Sequence, residues 1–326
     1  MKKQDNTRTF YYAAVYRSEL TGAIIPLMEF FANRHDIASL SDILTCFHRD
    51  LKIFSGSKCP ISIISVDFSF ALMNSVSRAF NDCSLFIYID LAYRLFIKKE
   101  DLPIALVTIA SCSVHVIKFF CDKMSSLPKC PKKTAATLFA KCVMARSFND
   151  FVNIFSILYV LLKCQNVRTS IVSEAMQMTR MSLDIDAIIE ESIETGSNSD
   201  VFTQLSKDLE SESSLYIKSP FVRDLGQAIE DKIISSSGNL VSNNFFCDSA
   251  ATYLLRRLGP FCALWLSFCH KRTTNTIVES HHKVVKNDLL KTPNIKPGTA
   301  IQELRVSVLA QLKLERNNEK YRILRP

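Results

Sequence analysis

The sequence predicts an α/β protein in which helices predominate and cover the faces of a mixed β-sheet. Two short β-branched segments, Ile61–Val66 and Ile104–Ala110, have the length and composition of buried strands. Before them, two aromatic and β-branched segments are separated by Gly22, a pattern typical of a β-hairpin. Beyond the second strand, the chain shows only helical patterns as far as Leu162. This order of elements indicates a sheet flanked by helices.

The individual elements follow from the spacing of apolar side chains. The hairpin strands are expected at Phe10–Tyr16 and Ala23–Phe31, where aromatic and β-branched residues predominate. The segment Ser39–Ile53 carries apolar residues three and four positions apart, which predicts an amphipathic helix. Similar patterns predict helices at Ser69–Phe80 and Leu85–Phe96.

The chain is expected to divide into three parts. Residues 1–130 contain the hairpin, the strands and the first helices, and they form the predicted core. Residues 131–245 are expected to be a helical insertion, and residues 246–326 a basic helical part that completes the core. Within the insertion, residues 181–215 include nine acidic residues and one basic residue, which predicts an exposed acidic loop.

The excess positive charge lies entirely in the last quarter of the chain. The net charge of the chain is +8, and residues 251–326 alone carry 14 basic and 5 acidic residues. A positive field of this kind attracts a polyanion such as nucleic acid. A solvated helical surface explains the same charge without any partner, so charge alone leaves both interpretations open.

The composition excludes several classes of protein. Hydrophobic residues make up 48% of the chain and charged residues 22%, as in ordinary globular proteins rather than disordered or fibrous ones. The longest charge-free stretch, Leu102–Ile117, is shorter than the ~20 apolar residues that cross a bilayer, so no membrane segment is expected. No signal-peptide pattern opens the chain, and its 11 cysteines follow no regular framework, which predicts reduced thiols inside a cell.

Asp67 directly follows the predicted strand Ile61–Val66. Open α/β sheets present ligands and catalytic carboxylates at the carboxyl ends of their strands, so Asp67 is a candidate functional residue. A structural role has equal weight, since an aspartate just before Ser69 could cap the helix that begins there.

Glu279 lies near the start of another predicted helix. On a helical period, Glu279 shares one face with His282, Lys283 and Lys286, an arrangement suited to metal-dependent phosphoryl transfer beside DNA. Two structural roles compete with this hypothesis. Thr276 and Glu279 have the spacing of a capping box, and Glu279 and Lys283 form a favourable pair one helical turn apart.

Cys112 and His115 lie where the second predicted strand meets the next helix. Both residue types bind zinc, but no second pair at a fixed spacing accompanies them, so a buried cysteine and histidine is the favoured interpretation. His35 and Asp36 are interpreted as a helix start, and Trp265 as a core residue. The chain lacks Gly-rich nucleotide-binding, P-loop, H-E-x-x-H and G-x-S-x-G motifs.

Taken together, these segments resemble the catalytic core of a DDE transposase of the Mutator-like (MULE) type. The resemblance covers two blocks, Phe10–Leu162 and Ala250–Leu312. Its motifs are Pro26-Leu-Met-Glu-Phe30, Arg34-His-Asp36, Val66-Asp-Phe-Ser-Phe-Ala-Leu72, Cys112-Ser-Val-His115, Ala263-Leu-Trp265 and Thr274-Asn-Thr-Ile-Val-Glu-Ser280. Such transposases have an RNase H-like fold with a helical insertion before the last catalytic helix.

The resemblance implies roles for individual residues. Asp67 matches the second metal-binding aspartate of the family, and Glu279 matches its final glutamate. Cys112 and His115 match the family's C-x-x-H motif, whose role the sequence does not indicate. Carboxylates that hold two Mg²⁺ or Mn²⁺ ions promote phosphodiester cleavage and strand transfer. The residues expected to contact the DNA backbone are Lys271, Arg272, Lys283 and Lys286.

One departure from the family pattern is consequential. The family's first catalytic aspartate lies on a strand immediately before the hairpin, whereas here nine residues precede Phe10 and Asp5 is the acid among them. The resemblance therefore predicts an RNase H-like mixed sheet without its first strand. We expect a truncated or decayed transposase, or a fragment of a longer one, that does not cut DNA by itself. Its affinity for Mg²⁺ or Mn²⁺ should be weak, because hard cations bind through several charged ligands.

The expected partner is DNA, either transposon ends or nonspecific sequence, and the expected location is the nucleus. Self-association into a homo-oligomer is compatible with this hypothesis. The alternative is a non-enzymatic helical protein that binds DNA or protein through its basic C-terminal region. Under that alternative, Asp67 and Glu279 would not share a site.

Overall fold

The computed structural model describes residues 10–18, 22–56, 60–102, 105–180, 219–270 and 276–285, together with positions 299, 302–306, 308, 309 and 313. The chain forms two compact units. The hairpin unit comprises Met1–Ile43 and Asn275–Pro326, and the helical unit comprises Leu44–Thr274. The three-part division expected from composition stays a prediction.

Helices predominate among the described elements, as the sequence predicts. In chain order the elements are β1 (Phe10–Arg17), β2 (Ile24–Ala32), α1 (Ile37–Ser55), β3 (Ile63–Val66), α2 (Phe70–Asn81), α3 (Leu85–Phe96), β4 (Thr108–Ser111), α4 (Ser113–Asp122), α5 (Lys129–Val143), α6 (Phe148–Lys163), β5 (Asn166–Arg168), α7 (Thr169–Thr179), α8 (Pro220–Ser235), β6 (Leu240–Ser242), α9 (Asp248–Tyr253), α10 (Cys262–Trp265) and α11 (Thr276–Val284). A π-helical turn at Leu254–Leu258 and a 3₁₀ turn at Gly259–Phe261 connect α9 to α10. No helix in the described ranges is long and apolar enough to cross a membrane.

The hairpin unit contains the predicted hairpin. Strands β1 and β2 pair antiparallel, and Gly22 adopts a positive φ of 74° at the turn, a conformation that glycine takes without steric cost. The register shifts between Ala14 and Val15, which pair with Met28 and Pro26. A bulge at this point fits the sequence, because proline cannot donate a ladder hydrogen bond.

The helical unit contains both predicted strands, which pair parallel from Ile63 opposite Thr108 to Val66 opposite Ser111. Strand β4 is mostly buried, as predicted, but the prediction that β3 is buried is wrong, since Ile63 is 40% exposed and Val66 is the buried residue of the strand. The predicted start of the second strand at Ile104 is wrong, since residues 105–107 precede the strand. The side chain of Asn81 explains the difference, because it bonds both the N–H and the carbonyl oxygen of Val107, at 2.8 and 2.9 Å. These bonds satisfy the Val107 backbone outside a strand ladder.

Serine caps define the helices next to these strands. The hydroxyl of Ser69 accepts a hydrogen bond from the N–H of Leu72 at the start of α2, and Ser84 caps α3 in the same way. The predicted helix Leu85–Phe96 is confirmed to the residue, and the prediction for α2 differs by one residue at each end.

The core of the helical unit is rich in aromatic side chains. Trp265 is fully buried, its ring centroid lies 5.6 Å from those of Phe139 and Phe151, and its indole N–H donates to the carbonyl oxygen of Leu258 at 3.1 Å. The prediction that Trp265 is a core residue is therefore confirmed. All ten cysteines of the described residues are free thiols.

Two short strands lie in the segment expected to be a helical insertion. Strands β5 and β6 pair antiparallel, with Asn166 opposite Ser242, and the sequence analysis did not predict them. Each strand has three residues, too few to show the period of two that identifies a strand. The predicted acidic loop, residues 181–215, lies outside the described residues.

The described strands form three two-stranded sheets, β1–β2, β3–β4 and β5–β6. The mixed α/β class with predominant helices is confirmed. The finer expectation of an RNase H-like sheet stays a prediction.

Candidate functional site

Asp67 lies at the carboxyl end of β3, as the sequence predicts, and its side chain is 62% exposed. The alternative that Asp67 caps the following helix is wrong, because Ser69 is the N-cap residue of α2. Asp67 contributes its backbone to this turn, where its carbonyl oxygen accepts a hydrogen bond from the N–H of Ser69 at 2.7 Å. Its carboxylate is therefore presented at the surface and is not used as a helix cap.

Cys112 and His115 lie at the same edge of the parallel strand pair. Cys112 follows β4, and its N–H donates to the carbonyl oxygen of Val66 at 3.1 Å. One turn along α4, the Nδ1 of His115 lies 3.2 Å from the Oδ1 of Asp67. Parallel pairing of β3 and β4 thus brings together three residues that the sequence singled out separately.

Electrostatics favour the protonated form of His115. Hydrogen bonds to Asp67 and then to Cys112 outweigh burial and raise the pKa of His115 to about 10. At neutral pH the imidazolium therefore forms an ion pair with the carboxylate of Asp67, through Nδ1 and Oδ1. Exposure falls from Asp67 (62%) to His115 (27%) to Cys112 (1%), so the carboxylate is the group of this cluster that solvent reaches most.

Of the three side chains in this cluster, only that of Asp67 offers the oxygen ligands that a hard cation prefers. Carboxylate oxygen is a ligand for Mg²⁺ or Mn²⁺, whereas the thiol and imidazole of Cys112 and His115 suit softer metals and bond within the cluster. Within the described ranges, no three histidine, cysteine, aspartate or glutamate side chains are grouped as a metal site would require. Within the described ranges, Asp67 is therefore the one carboxylate of this cluster that could bind Mg²⁺ or Mn²⁺.

The other predicted site residues lie on or near α11 in the hairpin unit. Glu279 belongs to this helix, but its side chain lies outside the described residues, as does that of Thr276, so the capping-box alternative also stays open. Lys283 is exposed on α11. The remaining predicted DNA contacts, Lys271, Arg272 and Lys286, lie outside the described residues.

The hairpin unit contains a cluster that sequence reasoning missed. The Nε2 of His281 on α11 donates to the Oε1 of Glu29 on β2 at 2.8 Å. The hydroxyl of Tyr11 on β1 donates to the same carboxylate oxygen and lies 3.3 Å from the Nε2 of His281. The side chains of Glu29 and His281 are 10% and 5% exposed. We name Tyr11, Glu29 and His281 the buried triad.

Burial and hydrogen bonding oppose each other at Glu29. Burial acts to raise the pKa of this carboxyl group, but the hydrogen bonds from His281 and Tyr11 outweigh it and hold the pKa below its usual value. Burial, and then the hydrogen bond to Glu29, raises the pKa of the Tyr11 hydroxyl. A sequence signal for this cluster is a charged residue inside an apolar strand, because a buried carboxylate needs partners. Glu29 also belongs to the motif Pro26-Leu-Met-Glu-Phe30.

A surface pocket between α3 and α8 offers a second concave site. Its lining carries charges of both signs, and Arg94 is paired there with Glu100 at 2.7 Å. The Nζ of Lys98 lies 5.4 Å from the ring centroid of Tyr93, whose hydroxyl donates to Asp224. This mixed charge does not define a site for a polyanion.

The fold and the exposed Asp67 carboxylate thus define a helix-rich α/β protein with a candidate acidic site at a strand edge. The chain is similar to the 120.7 kDa protein in the NOF-FB transposable element of Drosophila melanogaster, with 24% identity over 337 residues. The alignment covers 96% of this chain and 30% of the relative. No protein-family model and no solved structure matches the chain. The similarity supports a transposon-related origin.

Proposed function

We propose that this chain derives from a DNA transposase of the DDE type and that Asp67 and Glu279 are two carboxylates of its metal-binding site. The observation that carries the proposal is the exposed Asp67 carboxylate at the carboxyl edge of two parallel strands, held by His115. The similarity to a transposable-element protein supports the same origin. The resemblance to Mutator-like transposases supplies the role of Glu279.

The residues of the helical unit have separate tasks in this proposal. Asp67 binds Mg²⁺ or Mn²⁺ through a carboxylate oxygen, and His115 limits the orientations of that carboxylate through the contact at 3.2 Å. Cys112 holds His115 from the buried side of the cluster. When bound, the ions would supply the activation of a hydroxyl group and the stabilisation of a leaving oxygen in phosphodiester chemistry.

Basic residues near α11 would hold the DNA backbone. Lys283 is exposed on this helix, and Lys271, Arg272 and Lys286 are its sequence neighbours. Contacts between lysine or arginine and phosphate release counterions, so DNA binding by this chain should weaken steeply as salt increases. A nuclear location is part of this proposal, because the proposed partner is DNA, and self-association into a homo-oligomer is compatible with it.

The test is a Mn²⁺ titration of the full 326-residue chain. Asp67→Asn and Glu279→Gln should each weaken Mn²⁺ affinity by about tenfold, since each removes one charged oxygen ligand. Asp90→Asn, which neutralises an exposed aspartate on α3, is the matched control and should leave the affinity unchanged. Equal affinity of all four proteins would refute the metal site.

DNA binding separates the proposal from its alternative. The wild-type chain should bind duplex DNA with strong salt dependence, and Lys283→Ala should reduce the salt slope by about one unit. DNA binding that is indifferent to both carboxylate substitutions, together with no effect of either substitution on Mn²⁺, would favour a non-enzymatic protein that acts through its basic region.

A further inference from the structure

The buried triad joins α11 to both strands of the hairpin. Tyr11 comes from β1, Glu29 from β2 and His281 from α11, and all three belong to the hairpin unit. A second contact lies beside it, where the ring centroid of His282 is 5.3 Å from that of Tyr11. Two successive positions of α11 therefore contact the same strand residue.

The energetics of a buried carboxylate make this connection specific. A carboxylate that is 10% exposed stays ionised only with charged or hydrogen-bonding partners, and Glu29 receives two hydrogen bonds at one oxygen. The donors come from β1 and α11, so withdrawing α11 would leave the carboxylate with an incomplete set of partners. These hydrogen bonds therefore favour one rotation and axial position of α11 on the hairpin over all others.

Helical geometry makes the position of Glu279 depend on the rotation and axial position of α11. Successive residues of an α-helix are rotated by about 100°, so positions 279 and 281 are about 200° apart around the axis. A slip of α11 by one residue would turn position 279 by about 100° and shift it by about 1.5 Å along the axis. Any site that uses position 279 therefore depends on what holds His281 and His282.

We propose that Tyr11, Glu29 and His281 form a positioning network that fixes the rotation and axial position of α11 on the hairpin, and so fixes where position 279 is presented. None of the three residues contacts substrate in this proposal. The functional role of position 279 rests on the proposed function. The claim that the network fixes α11 on the hairpin does not.

Hydrogen exchange of the α11 amides, residues 276–285, tests the hold on the helix. In the full chain, Glu29→Gln should speed their exchange on the order of tenfold, and Glu29→Ala on the order of a hundredfold, because a buried donor loses its acceptor. Glu29→Asp keeps the charge and should restore part of the protection. Asp42→Asn removes an exposed carboxylate of the same unit and is the matched control. Unchanged exchange in Glu29→Ala would overturn the network.

A Mn²⁺ titration of the same variants tests the effect on position 279. If the inference is right, Glu29→Gln weakens Mn²⁺ affinity in the same direction as Glu279→Gln, and Glu29→Asp recovers part of it. Faster α11 exchange with normal Mn²⁺ affinity in Glu29→Gln, while Glu279→Gln is impaired, would overturn the positioning claim and leave the proposed function intact. Normal Mn²⁺ affinity in Glu279→Gln would overturn the proposed function, and with it the role given to position 279.

Discussion

Among the described residues, two carboxylate–imidazole pairs have similar chemistry and different surroundings. In the hairpin unit, Glu29 and His281 are 10% and 5% exposed. In the helical unit, the side chains of Asp67 and His115 are 62% and 27% exposed. Burial makes the first pair a structural connection, because its groups have no solvent to replace a lost partner. Exposure leaves the second pair open to a ligand, so the surroundings rather than the residue types separate the two roles.

The largest effect is expected from breaking the buried pair. Glu29→Ala should reduce the free energy of unfolding by about 3 kcal/mol, because it leaves His281 and Tyr11 without their shared acceptor. Urea denaturation followed by circular dichroism measures this loss. Asp42→Asn, with its exposed carboxylate in the same unit, should change stability by less than about 0.5 kcal/mol. Equal effects of the two substitutions would contradict the structural role of Glu29.

A smaller loss is expected when one hydrogen bond is removed from the buried triad. Tyr11→Phe keeps the ring that lies 5.3 Å from Phe31 but removes the hydroxyl that donates to Glu29. The free energy of unfolding should fall by about 1 to 2 kcal/mol. Tyr16→Phe removes the hydroxyl of a half-exposed tyrosine on the same strand and should have little effect. A Tyr11→Phe protein as stable as the wild type would show that the hydroxyl contributes nothing.

The two pairs should respond to opposite ends of the pH range. The pKa of folded Glu29 lies below its unfolded value of about 4.5, so its stabilisation is present above that pH and is lost as the pH falls through the folded value. The pKa of His115 is raised from 6.5 to about 10, so its stabilisation is complete below pH 6.5 and is lost as the pH rises to about 10.

Denaturation curves from pH 3 to about pH 10 test these signs. In Glu29→Gln, the free energy of unfolding should depend less on pH in the acidic range and keep its wild-type dependence in the alkaline range. In His115→Gln, the pH dependence should be lost in the alkaline range and kept in the acidic range. If both substitutions reduced the pH dependence in the same range, the difference between the two pairs would be refuted.

A smaller stability effect than at Glu29 is expected at the exposed pair of Asp67 and His115. Asp67→Asn should lower the free energy of unfolding at neutral pH by less than Glu29→Ala does, since the 62% exposed carboxylate of Asp67 is screened by solvent. The same substitution should still weaken Mn²⁺ binding. A loss of several kcal/mol would instead assign Asp67 a structural role like that of Glu29.

Local elements could be predicted where the chain carries local signals. Helix α3 was predicted to the residue because Ser84 caps it and its apolar residues keep a helical period. The start of β4 was predicted wrongly because the side chain of Asn81, 26 positions away in sequence, satisfies the Val107 backbone. Strands β5 and β6 were missed because three residues show no period.

The candidate site was accessible to sequence analysis only in part. Its position at the end of a predicted strand identifies Asp67, and the parallel pairing of β3 with β4 explains why His115 lies beside it. The pair of Glu29 and His281 spans 252 positions, and no local pattern connects them. Two signals mark Glu29 in the sequence, the rule that a buried charge needs a partner and its place in the motif Pro26-Leu-Met-Glu-Phe30.

The central proposal to be tested is that Asp67 and Glu279 contribute to one metal-binding site. The most direct measurement adds substoichiometric Mn²⁺ to the isotopically labelled chain and records paramagnetic broadening of backbone amide signals. The account predicts that signals around Asp67, His115 and Glu279 broaden together and that Asp67→Asn weakens the broadening at all three places. Broadening around only one carboxylate, or broadening that Asp67→Asn leaves unchanged, would contradict a shared site.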